Sequence, residues 1–122
     1  MASTSKLSVY NDTMAFIVVL YGCVENFRKF DKGVLGARLL NESLDLITLI
    51  ALANRDKENR EAYLTRYLTK LECVKANLRL CEHFKTISHN KIELIGKQVH
   101  EIEAQATAWK NSTNKSDDKK AQ

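Results

Sequence analysis

The segment from Arg60 to Thr86 has the longest uninterrupted helical pattern of apolar residues in the chain, and it contains no glycine or proline. Its apolar positions recur at steps of three and four, so they lie on one face of an α-helix. The residues of this face are Leu64, Tyr67, Leu71, Val74, Leu78 and Cys81, with Leu68 and Phe84 beside them. Such a helix would be about 40 Å long. A face of that length needs apolar partners along the whole helix.

Three further segments show helical spacing. A first helix from about Ser8 is predicted to bury Tyr10, Met14, Ile17, Tyr21, Val24 and Phe27. A fourth helix is predicted to bury Ile92, Ile95, Val99, Ile102, Ala106 and Trp109. The β-branched residues around Val18 would also suit a buried strand, but length and periodicity favour a helix. The second helix, from about Val34 to Asn54, is apolar on nearly every side between Leu44 and Ala53.

Short polar segments separate these helices. Charged residues and Gly33 interrupt the pattern at residues 28–33, where we place the first connection. Residues 55–59 have the length that joins antiparallel helices. Ser88, or Asn90 together with Glu93, is predicted to cap the fourth helix. The chain is therefore divided into a disordered N-terminus at residues 1–7, a bundle at residues 8–111 and a disordered polar tail at residues 112–122.

Length and composition fix the fold class. A chain of 122 residues suits one core, and the absence of proline with only four glycines favours long helices. We expect an all-α, antiparallel up-down-up-down four-helix bundle. The second helix carries more apolar surface than one bundle can cover, which predicts a ring-like homo-oligomer. Glu42 lies on its core-facing stripe and is interpreted as a paired structural acid rather than a catalytic one.

The cysteines and the apolar runs indicate the compartment. Cys23, Cys73 and Cys81 have no Cys-x-x-Cys spacing and are predicted to be buried, reduced thiols. The longest apolar run, Met14 to Val24, has eleven residues, which is too short to span a bilayer. No signal-peptide cleavage site follows it. We therefore expect a cytoplasmic protein without a membrane partner.

The sequence holds no complete enzyme motif. His100-Glu101 begins like a zinc-protease motif, but Ala104 stands where the second histidine ligand belongs. Helical-bundle ribonucleases of the HEPN type carry an arginine and then, after four to six residues, a histidine. Arg79 and His83 are separated by only three residues, so this enzyme is kept as a weak alternative. We expect no catalytic residue, no cofactor and no metal site.

The formal net charge of +4 is unevenly distributed along the chain. Residues 55–85 carry eight Lys or Arg against five Asp or Glu. The predicted nucleic-acid contacts are Arg66, Lys70, Lys75 and Arg79, followed by Lys29, Lys32 and Arg38. The four on the third helix are predicted to form two adjacent strips, which can follow a phosphate backbone in a salt-sensitive manner. Pairing with Glu72 and Glu82, as on an ordinary helix surface, is the alternative.

Short motifs on all four predicted helices resemble a known family. They are Phe27-Arg28-Lys29 before Leu35-Gly36, Arg60 with Tyr63 and Leu64, Leu78-Arg79-Leu80-Cys81, and Trp109. Over roughly residues 8–112 the chain resembles the bacterial ribosomal-RNA intervening-sequence proteins, which include the Avd accessory proteins of diversity-generating retroelements. The resemblance implies a barrel-like homopentamer with a basic surface that binds nucleic acid and, in retroelements, a reverse transcriptase. The family often has Phe-Pro-Lys where this chain has Phe27-Arg28-Lys29, so a rigid turn is replaced by a charge.

Two functional hypotheses follow from the sequence. The first is a non-enzymatic, Avd-like oligomer that holds RNA or DNA electrostatically and supports a reverse transcriptase. The alternative is a protein-interaction scaffold of the intervening-sequence type, with the same fold and an exposed apolar working surface. The salt dependence of binding distinguishes them, since only phosphate contacts weaken steeply with salt.

Overall fold

The computed structural model describes the backbone of residues 7–121 and the side chains of residues 7–113. Four long helices form the fold: α1 (Ser8–Glu25), α2 (Ala37–Arg55), α3 (Arg60–His83) and α4 (His89–Ala121). Two short helical segments, Lys29–Asp31 and the π-helical Lys32–Gly36, lead directly into α2. Helices α1 and α3 each pack against both α2 and α4. The chain is therefore an all-α four-helix bundle with its helices packed in sequence order, as predicted.

The predicted apolar faces of α3 and α4 lie in the core. All of the residues predicted for α3 are buried, namely Leu64, Tyr67, Leu71, Val74, Leu78 and Cys81. On α4, Ile95, Val99, Ile102 and Ala106 are buried. Ile92 and Trp109 are half-buried at the two ends of the α4 face. Helical spacing alone was sufficient for these two helices because each has one apolar stripe between polar residues.

The buried face of α1 is rotated relative to the predicted one. The buried residues of this helix are Val9, Thr13, Phe16, Ile17, Leu20 and Val24. Met14 and Tyr21, which were predicted to be buried, are 44% and 60% exposed. The prediction was wrong for these two residues because α1 is apolar on more than one side, so that steps of three and four fit two different stripes.

The connection between α1 and α2 is shorter than predicted. Helix α1 ends at Glu25 and helical backbone resumes at Lys29, so Gly33 lies inside the π-helical segment rather than in a turn. Arg28 is extended, with φ −61° and ψ 153°. Its Nε lies 3.3 Å from an Asp31 carboxylate oxygen, and this pair holds the first helical turn after the connection.

Gly36 allows α2 to approach α1 closely. A Cβ built on Gly36 would lie 2.6 Å from Cγ1 of Val24 and 3.5 Å from Cδ2 of Phe27. The first of these distances is shorter than van der Waals contact permits. Any larger residue at position 36 would therefore push the start of α2 away from α1.

The end of α3 uses a left-handed residue. Lys85 has φ 58°, and its amide donates to the carbonyl of Glu82 at 3.1 Å. The amide of Thr86 donates to the carbonyl of Cys81 at 3.0 Å. These two bonds form a Schellman motif, in which glycine is the usual left-handed residue.

Polar side chains accept backbone hydrogen bonds at two further points. In the four-residue connection between α2 and α3, the amide of Asn59 donates to Oδ1 of Asp56 at 3.3 Å. At the start of α4, the amide of Lys91 donates to Oγ of Ser88 at 3.4 Å. Of the two predicted caps for α4, the structure therefore selects Ser88.

The two chain ends fall largely outside the described residues. Residues 1–6 and 122 are not described, and the side chains of residues 114–121 are not described either. Helix α4 extends to Ala121, past the predicted end of the bundle at residue 111. The division into residues 1–7, 8–111 and 112–122 stays a prediction.

Candidate nucleic-acid interface

The predicted cations of α3 lie on two different flanks of the helix. The Nζ of Lys70 is 3.4 Å from Oδ2 of Asp45, so this lysine is directed towards α2. Lys75 contacts Glu103 of α4 and lies 2.8 Å from Oε1 of Glu72. Five helical positions separate the two lysines, which places them about 140° apart around the helix axis. The two strips are thus not adjacent, in contrast to the prediction.

Arg66 and Arg79 are the exposed members of the same set. Arg66 lines a groove of about 470 Å³ between α2 and α3 that also contains Leu49. Arg79 lines a second groove, of about 310 Å³, between α3 and α4. Neither arginine forms an ion pair with another residue that the structure describes. Both guanidinium groups therefore remain accessible to an external anion.

Arg38 has an internal partner. Its Nε donates to Oε1 of Glu42 at 2.9 Å, and Nδ2 of Asn77 donates to Oε2 of the same carboxylate at 3.1 Å. Glu42 is buried between α2 and α3. The predicted pairing of Glu42 is confirmed, and Arg38 is one of its two partners.

Lys75 is held by two carboxylates. Its hydrogen bond to Glu103 is the main cause that raises the pKa of Lys75, and the bond to Glu72 adds to the same shift. The hydrogen bond from Lys75 correspondingly lowers the pKa of Glu72. Lys75 therefore connects α3 to α4 as a charged group, and its charge is balanced by carboxylates of the bundle.

Lys29 and Lys32 lie at the end of the bundle where two connections meet. A groove at this end is lined by Cys23 and Asn26 near the end of α1, and by Ser88 and Lys91 near the start of α4. The α1–α2 and α3–α4 connections therefore share one end of the molecule. Lys85, in the α3–α4 connection, lies at this end as well.

Four exposed lysines at this end, Lys29, Lys32, Lys85 and Lys91, are named here the lysine cluster. None of them forms an ion pair with a described residue. Residues 26–36 and 84–91 contain one carboxylate, that of Asp31, and it is buried and paired with Arg28. Three exposed carboxylates lie in the adjoining helical turns, those of Glu25 in α1, Glu82 in α3 and Glu93 in α4. The four lysines outnumber these three carboxylates, so positive charge exceeds negative charge at this end of the bundle.

Sequence reasoning missed half of this cluster. Lys85 and Lys91 were not among the predicted contacts, although both lie in or next to a predicted connection. More than fifty residues separate them from Lys29 and Lys32. The available signal was the up-down topology itself, since it brings the first and third connections to the same end.

The three cysteine thiols differ in their exposure. Cys81 is buried and Cys23 is half-buried, and burial raises the pKa of both thiols. Cys73 is exposed, so the prediction that it is buried was wrong.

Arg79 and His83, the two residues of the weak ribonuclease alternative, have different neighbours. Arg79 lines the α3–α4 groove, whereas the His83 ring lies edge-on to Phe84 at 5.3 Å between centroids.

Comparison with models of known protein families gave no match, and comparison with curated proteins gave none either. The resemblance to intervening-sequence proteins stays a prediction.

In the part of the chain that the structure describes, no helix is both long and apolar enough to cross a membrane. Nor do the described His, Cys, Asp and Glu side chains assemble a group of three that could hold a metal ion.

Proposed function

We propose that the chain is a non-enzymatic, Avd-like oligomeric bundle of the bacterial cytoplasm that binds RNA or DNA electrostatically and assists a reverse transcriptase. The observation that carries this proposal is the lysine cluster, whose ammonium groups are exposed and lack ion pairs among the described residues. A cation without an internal partner keeps its full attraction for phosphate and releases a counterion when it binds.

The predicted contacts do not contribute equally to this proposal. Arg38, Lys70 and Lys75 already face carboxylates of the same chain. Lys29, Lys32, Arg66 and Arg79 are the predicted contacts that we retain, together with Lys85 and Lys91 of the lysine cluster. Binding through these groups would position the nucleic acid by its phosphates without reading bases.

Exposed apolar residues support the oligomeric part of the proposal. Met14, Val18 and Tyr21 of α1 are spaced by four and three residues, and Val18 is 71% exposed. Leu44 and Leu52 are exposed on the outer side of the neighbouring helix α2. Large exposed apolar surfaces are uncommon on monomeric proteins. Association through α1 and α2 would cover these residues and repeat the lysine cluster on every subunit.

The same apolar residues favour the second candidate function. A protein-interaction scaffold would use the outer faces of α1 and α2 to bind a different protein. Its affinity would change little with salt because burial of apolar surface involves no counterion release. The subunit number of five rests on the family resemblance alone, so it does not discriminate between the candidates.

The decisive experiment is a salt titration of nucleic-acid binding, measured by fluorescence anisotropy with a structured RNA and with duplex DNA. The parent protein is expected to bind with an affinity that falls steeply with salt. The double variant K29E/K32E should bind about tenfold more weakly and with a smaller salt slope. The control K57E/K97E makes the same change of net charge at exposed lysines outside the lysine cluster.

Two outcomes contradict the proposal. One is a parent protein that binds neither nucleic acid at low salt. The other is an equal loss of affinity in K29E/K32E and K57E/K97E, since it would show that net charge rather than the lysine cluster determines binding.

A further inference from the structure

We infer that the end of the bundle carrying the lysine cluster binds single-stranded nucleic acid, with Phe30 and Phe84 as the rings on which unpaired bases stack. The inference rests on the proposed function and specifies the class of nucleic acid. Phe30 is 77% exposed and Phe84 is 57% exposed. No other large apolar side chain that the structure describes is as exposed as Phe30.

Each of these rings has cations beside it in the chain. Phe30 follows Lys29 and comes two residues before Lys32. Phe84 directly precedes Lys85. Both connections therefore combine an exposed ring with exposed ammonium groups, a combination that suits single-stranded nucleic acid. The ammonium groups contact phosphates while the ring stacks on a base.

Both rings are attached to ordered backbone. Phe30 lies in the helical segment Lys29–Asp31, whose first turn is held by the ion pair between Arg28 and Asp31. Phe84 is the last residue before the left-handed Lys85, and the Schellman hydrogen bonds order the backbone on both sides of it. Because the backbone under each ring is already ordered, stacking of a base costs no backbone entropy there.

Single strands fit this surface better than duplexes do. In a duplex the base faces are stacked on one another and a protein ring cannot reach them without unstacking a base pair. An unpaired base offers its face at no such cost. Stacking of this kind is tolerant of sequence, which agrees with a site built from phenylalanine and lysine alone.

A second copy of the chain is a poorer occupant of the same end. Self-association through this surface would bring one lysine cluster against another, and like charges in contact are unfavourable. The exposed apolar residues of α1 and α2 provide a separate surface for association. A single strand suits this end better, because its phosphates neutralise the lysine charge and its unpaired bases cover Phe30 and Phe84.

The test uses the full chain and a labelled oligothymidine of about twenty nucleotides, with a duplex of equal length as comparison. The parent protein should bind the single strand more tightly than the duplex. The variant F30L/F84L keeps apolar side chains but removes both rings, so its affinity for the single strand should fall about tenfold or more. F30Y/F84Y retains the rings and should stay within about threefold of the parent.

The outcomes separate this inference from the proposed function. If the parent binds the structured RNA or the duplex but not the single strand, the proposed function stands and this inference is wrong. If it binds none of the three at low salt, both are wrong. If K29E/K32E weakens binding while F30L/F84L binds the single strand as the parent does, the proposed function stands and the stacking inference is overturned. A change of sedimentation coefficient in F30L/F84L would also overturn it, because the two rings would then belong to a subunit contact.

Discussion

The hydroxyl oxygens of Thr13 and Tyr67 lie 2.7 Å apart in the core and join α1 to α3 across the bundle. Thr13 also donates to the carbonyl oxygen of Val9 at 2.6 Å, so the proton between the two hydroxyls is that of Tyr67. Both side chains are fully buried. Because an unpaired hydroxyl in this position would be costly, the pair favours the register in which Thr13 and Tyr67 face each other.

The two members of this pair should differ in their tolerance of substitution. Thr13→Val keeps the shape but leaves the Tyr67 hydroxyl buried without a partner, which should cost about 1–3 kcal/mol in the free energy of unfolding. Tyr67→Phe leaves Thr13 bonded to Val9 and should cost about 1 kcal/mol. Urea denaturation of the single and double variants measures both costs. The double variant should be more stable than Thr13→Val alone, and simple additivity would contradict this account.

Tyr67 also predicts how stability depends on pH. Burial, with a smaller contribution from the charge of Asp12, raises the pKa of Tyr67 from 10.0 to about 12. Between these values the folded protein retains a proton that the unfolded chain has lost. The contribution of Tyr67 to the free energy of unfolding is therefore fully present below about pH 10. Between about pH 10 and pH 12 it falls by about 1.4 kcal/mol per pH unit.

The variant Tyr67→Phe isolates this contribution from the other groups that titrate in alkali. Urea unfolding curves at several pH values between about 9 and 11.5 should show a steeper loss for the parent than for the variant. Parallel losses in the two proteins would mean that Tyr67 does not ionise during unfolding, contrary to its buried position.

The helices differ in how well their sequences specify the core. The α3 sequence has one apolar stripe, and its predicted residues are all buried. The α1 sequence has two, and spacing could not show that Thr13 lies in the core while Met14 does not. Which of the two stripes of α1 is buried depends on Tyr67, the hydrogen-bond partner of Thr13, which lies more than fifty residues away in the sequence. A polar residue whose partner is distant in sequence is read as a surface position when only local pattern is used.

The candidate interface shows the same limit. The sequence indicated which residues are cationic, but not which of them are already neutralised. Lys75 is balanced by Glu103, which lies on another helix, and Lys70 by Asp45. The lysine cluster, in contrast, is assembled from two connections by the topology. Charge counts along a helix therefore identified candidates, whereas pairing between helices determined which of them remain accessible.

Gly36 provides a test of the α1–α2 contact. Gly36→Ala places a Cβ against Cγ1 of Val24, and the resulting displacement should cost about 1–3 kcal/mol. Gly22→Ala and Gly96→Ala are matched controls, since a Cβ at either position meets nothing within 4 Å. Both controls should gain about 0.5–1 kcal/mol because alanine favours the helix. Thermal or urea unfolding of the three variants measures these changes. Equal stability for all three would show that α1 and α2 are not closely packed at Gly36.

Lys85 allows fold stability and nucleic-acid binding to be changed in opposite directions. Lys85→Gly relieves the left-handed backbone and should raise the free energy of unfolding by about 0.5–1 kcal/mol. The same substitution removes one ammonium group of the lysine cluster and should weaken nucleic-acid binding. Lys91→Gly loses the same charge inside the first turn of α4, where glycine is unfavourable, and should destabilise the fold. A destabilised Lys85→Gly would contradict the role assigned to the Schellman motif.

Charge reversal on α3 should separate structural cations from accessible ones. Lys75→Glu brings a third carboxylate to Glu72 and Glu103, so it should destabilise the bundle by about 1 kcal/mol or more. Arg66→Glu reverses an exposed charge that has no ion pair with a described residue and should change stability by less than about 0.5 kcal/mol. Binding should respond in the opposite order, with the larger loss of RNA affinity in Arg66→Glu. Urea denaturation of the two variants measures the ranking in stability, and fluorescence anisotropy on the same samples measures the ranking in RNA affinity. If Lys75→Glu lost more RNA affinity than Arg66→Glu while remaining as stable as the parent, Lys75 would be a phosphate contact and its bridge to α4 would be incidental.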